Sequence, residues 1–285
     1  MVKSYNTQLL SEGFTFLEGP RWRNSRLFVS DMRAGAVMCL DQDGSAVRVA
    51  EVPGWPSGLG FLPDGSMVVV SMNERCVYRV EAEGMSLHAD LRNFVTGPLN
   101  DMLVTREGRC YVGDIGFDYF RNEPISPGGI TLIDTDGTVR RVASGLAGPN
   151  GMVMRDGGRT LVVAESFSER IVEFACDETG DLGDPRVLIE LPGEGPDGMC
   201  MDAAGAIWQA CFHSRRFVHI NPTGEIIGAI EVKSGNAVAC QLGGLDGRTL
   251  FCIIYTGTYG QMIQGFPGAR VEMAQVDVPG AGFPS

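Results

Sequence analysis

Two five-residue stretches, Gly148-Pro149-Asn150-Gly151-Met152 and Gly195-Pro196-Asp197-Gly198-Met199, differ only at the middle residue, which carries a side-chain oxygen on a short stem. Looser copies occur at Glu18-Gly19-Pro20, Ser57-Gly58-Leu59, Asn100-Asp101-Met102 and Asn236-Ala237-Val238. Glu18, Asn150 and Asp197 together supply two carboxylates and an amide oxygen. An all-oxygen set of this kind suits a hard divalent cation such as Ca²⁺, with water completing the shell. No His or Cys joins the set, which argues against selectivity for a soft metal. Two carboxylates held close without a cation repel each other and raise one pKa. A bound divalent ion relieves that repulsion, polarises a carbonyl and acidifies a water. Taken singly, Asn, Asp and Gly at such positions read as turn residues. Their recurrence at one place in a repeat favours oxygens gathered around a common centre.

The elements that would gather them follow from the spacing. The six positions 18, 57, 100, 150, 197 and 236 are 39 to 50 residues apart, which is the period of a propeller blade. Each repeat opens on its oxygen donor and continues as a short apolar strand. A Gly-containing turn follows, as in Pro63-Asp64-Gly65-Ser66, and then a second apolar strand such as Met67-Val68-Val69-Val70. A variable loop, a third strand and a more polar fourth complete the unit. The sequence therefore predicts an all-β, six-bladed β-propeller with four antiparallel strands per blade, formed as a single domain by residues 1–285. The last repeat lacks room for four strands. Its third is expected near Arg270–Asp277, and residues 5–10 are expected to close the ring as its outermost strand, covering an open edge. In this geometry the donors ring one end of the central channel. The loops joining second and third strands, 31–33, 72–75, 114–128, 165–169, 211–216 and 255–268, form walls above them.

Composition narrows the partners. The net charge of −12 argues against nucleic acid or an anionic membrane surface. The eight cysteines form no CxxC pair, and most sit in apolar strand-like runs, as buried residues in a reducing cytoplasm would. No apolar signal region follows Met1, and no apolar run reaches membrane-spanning length, so a cytoplasmic location is expected. Ser30 and Ser166 lack a nucleophile-elbow context. His88 and His213 are isolated, but His213 falls in a wall loop, within reach of a pocket.

At its repeats the chain resembles the gluconolactonase/regucalcin (senescence marker protein) family of six-bladed propeller lactonases. The resemblance rests on Leu17-Glu18-Gly19-Pro20-Arg21-Trp22, Leu27-Phe28-Val29-Ser30-Asp31, Asn100-Asp101-Met102, Gly148–Met152 and Pro196–Met199, and it runs from about Glu12 to Gly280. It implies one divalent cation on Glu18, Asn150 and Asp197, Ca²⁺ ahead of Zn²⁺, Mn²⁺ or Mg²⁺, and hydrolysis of a small-molecule lactone or related ester. It also implies Asp197 as general base and Asn100, with Asp101 beside it, as a further ligand or substrate contact. Sugar-lactone members carry an Arg two residues before that Asn; here the position is Pro98. The expected walls, Met72, Phe117, Tyr119, Phe167 and Tyr255, are apolar or aromatic. A substrate less polar than a sugar lactone is therefore expected.

Two other functions share the scaffold. Strictosidine-synthase-like propellers condense amines with aldehydes, but through a pocket glutamate rather than this trio. A non-catalytic binding propeller is the third reading; it is disfavoured by the absence of repeated Trp-Asp dipeptides and by acidic residues gathered at one channel end.

Overall fold

The computed structural model describes residues 2–82 and 84–282. Its architecture follows from short β-branched runs separated by Asx turns. Met67–Ser71, for example, is buried along its whole length. The turn before it is held by Asp64, whose Oδ1 accepts from Ser66 N at 2.9 Å and Ser66 Oγ at 2.6 Å. Gly65 supplies the positive φ of 92° that this turn needs.

Such units build six blades of four antiparallel strands each, arranged as a six-bladed β-propeller. The innermost strands are Leu17–Arg23, Pro56–Phe61, Leu99–Val104, Pro149–Arg155, Pro196–Met201 and Asn236–Gly243. Each therefore begins on the predicted donor or one residue before it. The sixth blade takes its third strand from Ala269–Gln275 and its outermost strand from Gln8–Phe14, near the start of the chain. Only the last part of the expected 5–10 segment joins that strand. Lys3–Ser4 instead adds in parallel to the fourth strand of the fifth blade. Tyr5 follows it, with its backbone N–H on the Ala229 carbonyl and its ring against Trp208 at 5.6 Å. The N-terminal segment thus ties two neighbouring blades together.

Crowding at the axis explains the glycine after the donor. A Cβ built on Gly58 would lie 2.3 Å from Met102 N, and one on Gly151 would lie 2.5 Å from Met199 N. One on Gly198 would lie 2.5 Å from the Ala239 Cβ. Neighbouring inner strands touch backbone to backbone, so a side chain at these positions would push them apart. The pairing register also slips at or just past the donor in all six inner strands. Bulges of this kind re-aim side chains, and here they stand where the donors turn towards the channel mouth.

Among the described residues helix is almost absent. The chain forms a 3₁₀ turn at Tyr119–Arg121 and a five-residue helix at Tyr259–Ile263. Among the described residues no helix is long and apolar enough to cross a membrane. The cysteines are all free, and all but Cys176 are buried.

Candidate active site

The donor end of the channel opens into a cavity of about 360 Å³. Glu18, Asn100, Asn150, Asp197 and Asn236 form its floor, one from each blade except the second. Ser57, the second-blade donor, is buried and does not reach it. The walls come from the loops between second and third strands. Met72, Tyr119, Phe167, His213 and Tyr255 line them, together with Met32, Ile115, Phe120, Phe212 and Met262, and Phe16 adds a wall residue from just before the first inner strand.

The floor is wired so that oxygens face the guest. Asn150 Nδ2 donates to Asp197 Oδ1 at 2.6 Å and to Ser166 Oγ at 3.1 Å. Ser166 in turn donates to the Pro196 carbonyl at 2.7 Å. Asn100 Nδ2 donates to the Pro149 carbonyl at 3.2 Å, and Asn236 Nδ2 to the Phe212 carbonyl at 2.7 Å. In each case the partner is an acceptor, so the amide must present its NH₂ there. The amide oxygens are left for a ligand.

Charge is concentrated and unbalanced on this floor. Burial pushes the Asp197 carboxyl up to about 8, with the Asn150 hydrogen bond opposing and the Asp101 charge adding to the rise. Glu18 is raised well above the usual carboxylate range by burial first, and then by repulsion from Asp197 and Asp101. Among the described residues lining the cavity there is no lysine or arginine. Desolvated carboxylates without a cationic side chain, beside amide oxygens and away from thiols, fit a hard divalent cation. Glu18, Asn150 and Asp197 are the residues that would hold it. Among the described residues no group of three or more Asp, Glu, His or Cys side chains is placed to hold a metal. Any site here therefore leans on amide oxygen as well as carboxylate.

Two residues expected in the site stand behind it. Asp101 faces away from the cavity and meets the buried Arg21 guanidinium at 3.4 Å, while its Oδ1 accepts from Met102 N at 2.7 Å. Adjacent residues on a strand point to opposite faces, so Asn100 on the floor sends Asp101 beneath it. Phe117 is buried behind the rings of Phe167, at 5.3 Å, and Tyr119, at 6.4 Å. Sequence reasoning missed Ser166, the hydroxyl that orients Asn150. It also missed Arg21, which neutralises the carboxylate under the floor.

The first glycine of the repeated motif has its own purpose. A Cβ on Gly148 would strike the Phe167 ring at 2.4 Å, and one on Gly195 would strike the His213 ring at 2.3 Å. Each of these glycines is the seat of a wall ring from its own blade. The sequence Gly-Pro-Asx-Gly thus seats a ring, presents an oxygen and lets the next strand close in.

Fold and floor together define a class: a six-bladed propeller whose inner strands deliver carboxylate and amide oxygens to one end of the channel. Residues 16–255 match the profile of the SMP-30/Gluconolactonase/LRE-like region, and the chain belongs to that family. It is 25% identical over 278 residues to a pentonolactonase of Haloferax volcanii, covering 94% of this chain and 92% of that one. It is also 25% identical over 243 residues to a 6-deoxy-6-sulfogluconolactonase of Pseudomonas putida, covering 82% and 81%. The solved structure of a calcium-binding regucalcin from Agrobacterium tumefaciens superposes with a TM-score of 0.83 at 20% identity, over 98% of this chain and 97% of that one.

Proposed function

We propose that this protein is a metal-dependent hydrolase that opens a neutral lactone, or cleaves a related ester, less polar than a sugar lactone. The observation that carries the reading is the floor: desolvated Glu18 and Asp197 without a cationic side chain, at the base of a largely apolar cavity. The relatives named for opening pentonolactones and sulfogluconolactones support ring hydrolysis as the reaction class. The lack of lysine and arginine on the walls supports a neutral substrate, since a sulfonate or carboxylate would be buried there unpaired.

Glu18, Asn150 and Asp197 hold the divalent cation, Ca²⁺ foremost. When bound, the cation supplies Lewis-acid polarisation of the ester carbonyl and acidifies water. The chain's own residues do the rest. Asn150 holds one Asp197 oxygen, so the second is free to accept a proton from the attacking water. The amide oxygens of Asn100 and Asn236 accept from water or from any hydroxyl the substrate carries. Met72, Tyr119, Phe167 and Tyr255 cover its apolar part and exclude bulk water.

The test is turnover of a panel running from gluconolactone to alkyl- and aryl-substituted lactones, with divalent metal supplied and then chelated. Parent protein is expected to prefer the substituted neutral members and to lose activity with chelator. Asp197→Asn, with its metal content measured, is expected to lose about 10²–10⁴-fold in kcat, the usual worth of a general base. Full turnover by metal-loaded Asp197→Asn would reduce Asp197 to a ligand. Activity indifferent to chelation would overturn the metal dependence.

A further inference from the structure

The walls of the cavity are fastened to one another across its mouth. The third and sixth blades of a six-bladed ring face each other, and their long loops meet. Tyr119–Arg121 in the third-blade loop is capped by Asp118, whose side chain accepts from Phe120 N and Arg121 N. Tyr259–Ile263 in the sixth-blade loop carries a full capping box between Thr258 and Gln261. The Tyr259 hydroxyl donates to the Tyr119 carbonyl at 3.2 Å, and the two rings stand 5.4 Å apart at 81°. A strap therefore spans the mouth.

A second connection runs through the first and second blades. The Arg33 guanidinium donates to the Ile263 carbonyl at the end of the sixth-blade helix. It also lies over the Trp55 ring at 4.1 Å. Trp55 then meets Phe120 edge-on at 4.8 Å. Trp55 has a φ of 70°, a conformation that costs a bulky residue free energy and persists only where surroundings impose it. Neither Arg33 nor Trp55 lines the cavity, yet each grips an element that does. The side over the first two blades is thereby closed. Over the fourth and fifth blades, among the described residues, the strap is met by ring contact alone: Phe167 packs on Tyr119 at 5.6 Å and on Phe117 at 5.3 Å, and with the exposed His213 it flanks the cavity.

We propose that Arg33 and Trp55 are specificity-determining positioning residues. They clamp the Tyr119–Tyr259 strap on one side, so that the way in is the side held by ring contact alone, at Phe167 and His213. For the substrate this rests on the lactone reading above. A lactone with a single apolar substituent running out over the fourth and fifth blades is accepted. One substituted on both sides of the ring is rejected by the closed side.

The experiment compares the full-length parent with Trp55→Gly, Arg33→Ala and Arg33→Lys. Trp55→Gly removes the ring while suiting the positive φ, so the backbone is not strained further. Arg33→Lys keeps the charge and loses the planar fork. Hydrogen exchange is read at Met262 and Gln264, whose amides bond Thr258 and Gly260 carbonyls. It is expected to quicken about ten-fold in Trp55→Gly and Arg33→Ala, as loss of a cation–π contact or hydrogen bond implies, with exchange in the inner strands unchanged. The kcat/KM ratio of doubly to singly substituted lactones is expected to rise about ten-fold in the same variants, with Arg33→Lys between. Unchanged exchange would show that the clasp does not hold the strap. Faster exchange with an unchanged ratio would show that the strap does not select. If the parent opens no lactone, the lactone reading alone fails. The association rate of the neutral dye Nile red then decides the clasp, a rise in the variants supporting it and an unchanged rate overturning it.

Discussion

Gly151→Ala tests the claim that inner-strand crowding both builds the ring and aims the donors. The added Cβ would meet Met199 N at 2.5 Å, Asp197 O at 2.7 Å and Gly198 C at 2.9 Å, all backbone atoms of the next inner strand. None is the tip of a flexible side chain. Reaching ordinary contact at 3.4 Å requires about 0.9 Å of separation between the two strands. Overpacking of a tight core costs about 1–3 kcal/mol, and an all-backbone clash belongs at the upper end. The expected loss of about 3 kcal/mol lowers Tm by about 5 °C in a chain of this size. The same two strands carry Asn150 and Asp197, joined by their 2.6 Å hydrogen bond. Misplacement by nearly 1 Å is expected to cost about 10²-fold in kcat/KM, beyond any loss of folded protein. The assay pairs thermal unfolding with lactone turnover normalised to folded fraction. Gly260→Ala is the control, since its Cβ would meet nothing within 4 Å and it sits in a helix, where Ala is favoured by up to about 1 kcal/mol. Parent-like Tm in Gly151→Ala would refute the crowding argument. A lowered Tm with parent-like turnover would refute the link between strand spacing and donor placement.

Two further predictions concern the frame. Arg21→Met leaves Asp101 buried beside no cation and is expected to cost about 3–5 kcal/mol in urea unfolding, most of it recovered by adding Asp101→Asn; equal stability of the single and double variants would show that the pair is not what matters there. Deleting residues 1–14 strips the outermost strand from the sixth blade and exposes the edge of Ala269–Gln275. That chain is expected to unfold at lower temperature and to self-associate in gel filtration, whereas a monomer of parent stability would remove the closing role of Gln8–Phe14.

The repeat was legible because its constraint is local. An oxygen donor recurs where each inner strand begins, and in four of the six a glycine crowded by the next strand follows it, so their spacing revealed the blades. The wall loops were legible as the gaps between apolar runs. Asp101 was misplaced because adjacency to Asn100 suggested a shared site, while strand alternation separates the two. Phe117 was misplaced because which of three nearby aromatics faces the cavity is decided by their packing on one another. The Tyr259–Ile263 helix is too short for a periodic signal, although Thr258 and Gln261 carry its capping box at the expected spacing. The Arg33–Trp55–Phe120 contacts join three different blades, and no sequence interval encodes such a meeting.

The ring closes between segments made far apart in time. Thr7 bonds Glu272, 265 residues later in the chain. At about 5–20 residues per second, translation would need roughly 15–50 s to deliver that partner. Throughout that interval Gln8–Phe14 exists as a strand without a sheet. Its composition suits the wait: Gln8, Ser11 and Glu12 are polar, and only Phe14 ends fully buried. The segment that arrives first is thus the last to be ordered, and the newborn chain must carry five finished blades with one unsealed seam before the sixth can lock.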